Sequence, residues 1–273
     1  MKKAVSILLL LSMLVGIMAF SVNASGSVSV IIEGEKFYGN VQVKYDTTYV
    51  AIRKFSTSMY PDAKVTYNSS TRTLTVKTDS LTLECKDGSN YIVANGRYLY
   101  TEAPIYMRSG VMYAPVLLLA KAFDAKISWD SALHGFRITR GSGGIMSGAR
   151  FYNEDHVFWL SRIIYAESGA EPLLGKIAVG NVILNRVRSG AYPNTIYGVI
   201  FDKRYGVQFS PTANGTIYKT PNADSIIAAK ICLEGYTVSD KILYFVNPVK
   251  APNSWVAQNC TYFTTIQNHN FYY

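Results

Sequence analysis

Glu167 closes an apolar helical run, Ile163-Ile164-Tyr165-Ala166-Glu167-Ser168, just before Gly169. Val157, Leu160, Ile164 and Glu167 fall at i, i+3, i+7 and i+10, which is one helix face. The face expected to be buried therefore ends in an acid. A carboxyl drawn out of water has its pKa raised, and a raised pKa is what a general acid needs near neutrality. The plain alternative is a Glu that turns outward or caps a neighbouring helix.

The other candidate residues are sparser. Residues 151–273 hold eight acids. Glu154, Asp155 and Glu171 read as helix-start residues; Asp202, Asp224, Glu234 and Asp240 fall in or beside loops and helix ends. Glu171 is expected either to raise the pKa of Glu167 or to cap the next helix. Acid/base chemistry shared between two carboxylates would need a second acid placed as suggestively as Glu167, and none is. The acid count fits a one-carboxylate mechanism better. Gln208, Tyr244, Asn247, Trp255 and His269 are polar or aromatic residues in loops or at strand ends, suited to sugar stacking and hydrogen bonding. Asn185-Arg186 lies mid-helix and reads as a buried polar network.

Cys232 lies in an apolar helical run, so a buried thiol or half-cystine is expected rather than a nucleophile. Pairing with Cys260 stays open, and Cys85 stands alone in the other half. His134, His156 and His269 are too few and scattered for a zinc site, and no metal or organic cofactor is implied.

The elements that must position these groups are helices first. Asn153 caps a helix to about Ser168, ended by Gly169; Pro172 opens a second, which closes at Ser189-Gly190. Gly175 and Gly180 inside it imply close helix–helix approach. A short helix is expected over 194–201, an irregular segment over 202–221, and a helix capped by Asn222 running to about Gly235. Strands follow at 242–246 and 262–266, with a loop over 251–255 and a turn at 267–270.

The chain has 273 residues with 27 Lys+Arg and 18 Asp+Glu. The excess is spread along the chain. It suits adhesion to anionic wall polymers and argues against nucleic-acid binding, which wants a dense basic patch. Lys2-Lys3, an apolar run from Ala4 to Phe20, and Val22-Asn23-Ala24 read as a signal peptide over 1–24. A secreted protein with no membrane span after cleavage is expected.

Residues 28–140 contain a repeat, within a first domain expected over 25–140. Tyr49-Val50-Ala51-Ile52, Asp62-Ala63-Lys64-Val65-Thr66-Tyr67 and Leu74-Thr75-Val76 recur as Tyr113-Ala114-Pro115-Val116, Asp124-Ala125-Lys126-Ile127-Ser128-Trp129 and Phe136-Arg137-Ile138. Each copy predicts strands, a helix such as 115–123, and a closing hairpin such as 126–129 with 135–139. Gly141 to Gly148 is rich in Gly and Ser, which predicts a flexible linker over 141–150 and a second domain over 151–273.

The repeat half resembles the stalk-like N-terminal domain of copper amine oxidases. That resemblance implies a small antiparallel sheet packed on a helix, used as an attachment or spacing module, and does not imply copper. In the second half, Tyr165-Ala166-Glu167-Ser168, Glu171-Pro172, Val182-Ile183-Leu184-Asn185-Arg186, Tyr192-Pro193-Asn194-Thr195, Gln208-Phe209-Ser210, Leu243-Tyr244-Phe245-Val246-Asn247-Pro248, Ser254-Trp255 and Asn268-His269 occur in order. These blocks resemble the catalytic domain of the spore cortex-lytic enzyme and cell wall hydrolase family (SleB-like). The resemblance implies an α+β two-domain chain whose C-terminal domain is mainly helical and lysozyme-like, with a small β region. It implies cleavage of peptidoglycan glycan strands in cortex or wall, with Glu167 as the catalytic acid. The Glu-Ser pair also resembles lytic transglycosylases, which leave 1,6-anhydromuramic ends. A peptidoglycan amidase or peptidase, or a non-catalytic wall-binding protein, is the alternative.

Overall fold

The computed structural model describes residues 28–273. The expected signal peptide lies outside them.

The first copy of the repeat forms β1 (Ser29–Ile32), β2 (Glu35–Lys36), β3 (Val41–Lys44), β4 (Thr47–Ala51), α1 (Ile52–Met59), β5 (Lys64–Asn68) and β6 (Thr73–Lys77). An extra strand, β7 (Thr82–Lys86), leads into the second copy. That copy forms β8 (Tyr91–Ala94), β9 (Arg97–Tyr100), β10 (Tyr106–Arg108), β11 (Val111–Pro115), α2 (Val116–Ala122), β12 (Lys126–Asp130) and β13 (Gly135–Thr139). The corresponding hairpins β1–β2 and β8–β9 turn at Glu33-Gly34 and Asn95-Gly96, with both φ angles positive in each turn. Such two-residue turns match strand twist and favour Gly.

One small antiparallel sheet was the expectation; three sheets are found, ordered β12-β13-β1-β2, β10-β11-β4-β3 and β5-β6-β7-β8-β9. The copies exchange partners. The last hairpin of the second copy pairs with the first strand of the first, and β1 runs parallel to β13. An isolated two-stranded hairpin is marginal in water; β12–β13 gains β1 from the other copy, and β3–β4 gains β11. Ile52, Phe55, Met59, Leu119 and Phe123 fill the shared core.

Residues 141–150, expected to be flexible, are packed. The Asn95 side-chain amide donates to the Ile145 carbonyl (2.8 Å), and Ile145 is buried. A short helix, α3 (Gly148–Phe151), begins with Gly148 pressed on the Gly96 backbone, where a Cβ would lie 2.6 Å from a carbonyl oxygen.

The second half is mainly helical: α4 (Glu154–Ser168), α5 (Leu173–Arg188), α6 (Ile196–Ile200), α7 (Ser210–Asn214) and α8 (Ala223–Leu233). Asn153, Thr195 and Asn222 each accept a backbone N–H as N-caps. Pro172 precedes α5 rather than starting it. The segment read as irregular holds α7 and a 3₁₀ turn at Thr216–Tyr218, separated by Gly215 in the left-handed region. Beyond α8 come β14 (Tyr244–Val246), α9 (Trp255–Asn259), β15 (Tyr262–Ile266) and β16 (His269–Tyr272), with sheet order β14-β16-β15. The expected loop at 251–255 ends in a helix, because Ser254 accepts from Ala257 N–H as its cap.

Helices α4, α5 and α8 pack together around Ile164, Ile177 and Ile231. Gly180 permits this: a Cβ there would lie 2.7 Å from Cys232 Sγ and 2.9 Å from Ile164 Cδ1. Gly175 instead faces Ile266 of β15 and the Glu171 side chain. All three cysteines are free, so Cys232 and Cys260 do not pair; Cys232 is buried and donates to the Ile177 carbonyl.

The two halves meet where β9 lies on α8. Arg97 binds Glu234 through two hydrogen bonds of 2.8 and 2.7 Å. Tyr152 donates to the same carboxylate (2.8 Å) and accepts from Tyr98 N–H (3.0 Å). Tyr91, Tyr98 and Tyr100 pack on the helical core.

Candidate active site

An open cleft of about 1280 Å³ runs along the end of α4. Its walls come from the last turn of α4 and residues 169–171, from α7 and the 3₁₀ turn, from β14 and the loop after it, and from the β15–β16 turn.

Glu167 lines this cleft. It is half-buried, with no hydrogen-bond or ion-pair partner among the described residues. Burial pushes its carboxyl up to about 7, with Lys250 pulling weakly the other way. The neighbouring Ser168 hydroxyl donates to the Ile164 carbonyl (2.7 Å), so it is committed to the helix backbone.

Glu171 also lines the cleft, but neither expectation for it holds. Its carboxylate does not cap α5 and is not among the charges acting on Glu167. It accepts from Asn268 N–H (3.2 Å) and from the Asn268 side-chain amide (2.9 Å), fastening the β15–β16 turn. His269 follows, with Nδ1 3.7 Å from Glu171 and no hydrogen-bond partner. Burial lowers its pKa below the usual 6.5 against the pull of Glu171, with Lys250 adding to the lowering. Its imidazole is therefore neutral at pH 7.

Asn247 lines the cleft as well. Its side-chain oxygen accepts from Val249 N–H (3.0 Å) and Lys250 N–H (3.1 Å), so it shapes the turn that presents Lys250. Of the sequence candidates, Glu167, Asn247 and His269 are thus brought together.

Gln208, Tyr244 and Trp255 are not among the residues lining the cleft. Phe245 and Val246 of β14 line it, whereas Tyr244 does not. Tyr192 donates to the Tyr244 hydroxyl (3.0 Å), Arg186 reaches Gln208 (3.4 Å), and Arg186 lies over the Tyr192 and Tyr244 rings. Trp255 is 63% exposed beside Tyr244. Sequence reasoning chose these three by residue type, and that type serves a second cluster around Arg186.

Lys219, Lys250 and Asn268 were missed. The Asn247-Pro248 turn was the available signal for Lys250. Asn268 falls in the expected turn at 267–270, but its partner Glu171 is far away in sequence.

Comparison with known proteins follows the same division. Residues 170–272 match the family model described as Cell Wall Hydrolase, and residues 31–137 match the copper amine oxidase N-terminal domain. Glu167 lies just before the first of these spans. The spore cortex-lytic enzyme of Bacillus cereus is 39% identical over 105 residues, covering 38% of this chain and 39% of that enzyme. The spore cortex-lytic enzyme of Bacillus subtilis is 36% identical over 106 residues, covering 39% of this chain and 33% of that enzyme. The chain thus spans well under half the length of these curated relatives. The solved structure of the catalytic domain of the germination-specific lytic transglycosylase SleB from Bacillus anthracis is 35% identical, with a TM-score of 0.41. The match covers 47% of this chain and 100% of that one. On these sequence matches residues 170–272 are a cell wall hydrolase family domain, preceded by a copper amine oxidase N-terminal-type domain at residues 31–137.

Proposed function

We propose that this chain cleaves the glycan strand of peptidoglycan by general acid/base catalysis through Glu167. The observation that carries the proposal is an unpartnered, half-buried carboxyl in the wall of a large open cleft, protonated to a useful degree near neutrality. The cleft exceeds the roughly 300–1,000 Å³ of small-molecule pockets, as a polymeric substrate requires. The relatives named as cortex-lytic enzymes and as a lytic transglycosylase support the same reading.

The finer reading is a lytic transglycosylase. Glu167 gives its proton to the glycosidic oxygen as the C1–O bond breaks. The resulting carboxylate then takes the proton of the muramic acid 6-hydroxyl, whose oxygen closes on C1 to leave a 1,6-anhydro ring. No water is consumed, and Glu167 ends as it began. One carboxylate suffices, and the only other one lining the cleft, Glu171, is held by Asn268. Cys232 offers no competing nucleophile, since it is buried between α5 and α8 and burial pushes its thiol pKa up. The site of action in this proposal is outside the cytoplasm, at cortex or wall.

The test is mass spectrometry of purified vegetative and cortex peptidoglycan after digestion. Anhydro-ended fragments support the transglycosylase. Reducing ends refute the one-carboxylate mechanism, and released peptides with intact glycan refute glycan cleavage.

A further inference from the structure

We propose that Lys219 and Lys250 form a carboxylate-recognition site in the cleft, selecting glycan strands whose sugars bear free carboxylates over neutral amino-sugar polymers. The proposal rests on the glycan-cleaving reading and names what the cleft selects. It follows from an inventory of the charged and titratable groups lining the cleft: Glu167, Glu171, His269, Lys219 and Lys250, with the phenol of Tyr165. Glu171 is occupied by Asn268. Glu167 holds its proton to about neutrality, and His269 is uncharged there. Neither lysine has an ion-pair partner among the described residues. The cleft is left with two free cations and one engaged anion.

These are not two loose surface charges. Lys250 sits on a turn built by the Asn247 side chain, and its charge reaches both Glu167 and His269. Lys219 follows the 3₁₀ turn that Asn214 fastens by accepting from the Thr216 backbone and hydroxyl (3.0 and 2.7 Å). Two separate wall elements therefore deliver a cation to one cleft. A neutral chitin-like strand offers such cations no counter-charge. A muramic-acid strand offers the lactyl group or the peptide stem it carries, and with them carboxylates able to form charge-assisted hydrogen bonds.

The experiment compares intact peptidoglycan with peptidoglycan whose carboxylates have been amidated by carbodiimide and ammonia. Wild type, Lys250→Gln, Lys219→Gln, the double variant and Lys250→Arg are measured on both. One charge-assisted hydrogen bond corresponds to roughly a tenfold effect. Amidation is expected to raise wild-type KM by about that factor or more while kcat changes less. The double variant should show the raised KM on intact substrate and no further loss on amidation, and Lys250→Arg should retain most of the discrimination. Equal amidation losses in wild type and double variant would overturn the proposal. Binding of the Glu167→Gln protein to the two substrates separates this idea from the catalytic one. Preference for the intact wall supports recognition even if wild type cuts nothing, and equal binding refutes recognition even if wild type cuts well.

Discussion

The contact between the two halves makes a strong stability prediction. Arg97 and Glu234 bind each other through two hydrogen bonds, with side chains only 12% and 2% exposed. Tyr152 takes the same carboxylate as its acceptor, and Phe151 stacks under the guanidinium at 3.5 Å from ring centroid. Replacing Glu234 by Ala leaves Arg97 buried and uncompensated and orphans the Tyr152 hydroxyl. Breaking a buried pair from one side costs about 3–5 kcal/mol. At roughly 2–4 °C per kcal/mol for a chain of this size, Tm should fall by about 6–20 °C.

The form of the melt matters as much as its midpoint. Inter-domain contacts ordinarily permit relative motion. Here the wild type should melt as one calorimetric unit, and Glu234→Ala should split into two transitions. The split should also open residues 141–150 to limited proteolysis. The double variant Arg97→Met/Glu234→Leu should recover most of the loss, because paired apolar replacements of a buried ion pair are often near neutral. A Tm within about 2 °C of wild type, or a double variant no better than Glu234→Ala, would refute the argument that this pair locks the halves together.

Glu167→Gln should lose at least about 10²-fold of glycan cleavage with the fold retained by circular dichroism. The same substitution should stabilise the protein at high pH. A carboxyl raised from 4.5 to about 7 binds more protons folded than unfolded between those values, so wild-type stability falls as pH rises through that window. The loss is roughly 3 kcal/mol above pH 7, and denaturant melts of the variant should lack it. Activity should decline as pH rises through about 7 as the acid ionises. Of the neighbouring titratable groups Glu171, Lys219, Lys250 and His269, Lys250 pulls the Glu167 pKa down, so Lys250→Gln should move that limb to higher pH. Gly180→Ala should destabilise by about 1–3 kcal/mol, read by chemical denaturation, because its Cβ would meet Cys232 and Ile164 inside 3 Å.

What the sequence made legible follows the range of the interactions involved. The placement of Glu167 was readable because the apolar spacing, the Asn153 cap and the break at Gly169 all lie within one helix. The repeat was readable as two copies, yet its three sheets were not. Nothing in β1 says that its partner is β13, more than a hundred residues away. The Gly/Ser-rich stretch misled for the same reason: its composition suits a flexible chain, while Asn95 and Gly96 supply the contacts that fix it. Tyr244 and Trp255 had the right chemistry for sugars, but Tyr244 is drawn to Tyr192 and Arg186, contacts that no local pattern announces.

The helix beside Glu167 explains how a site built from distant segments is held. Asn181, Asn185 and Arg186 of α5 are all buried polar residues, a pattern that weakens a helix unless every group finds a partner. They find them in one connecting segment. Asn181 binds the Tyr236 carbonyl and Val238 N–H, Asn185 binds the Ser239 and Ile242 carbonyls, and Arg186 binds the Leu243 carbonyl. That segment ends in β14, which leads to Asn247 and Lys250. The same helix packs on α4, whose last turn carries Glu167. One element therefore sets the position of the acid on one side and of the cation-bearing loop on the other. The polar face of α5, which looks like a poor core, is the reason the two sides of the cleft keep a fixed spacing.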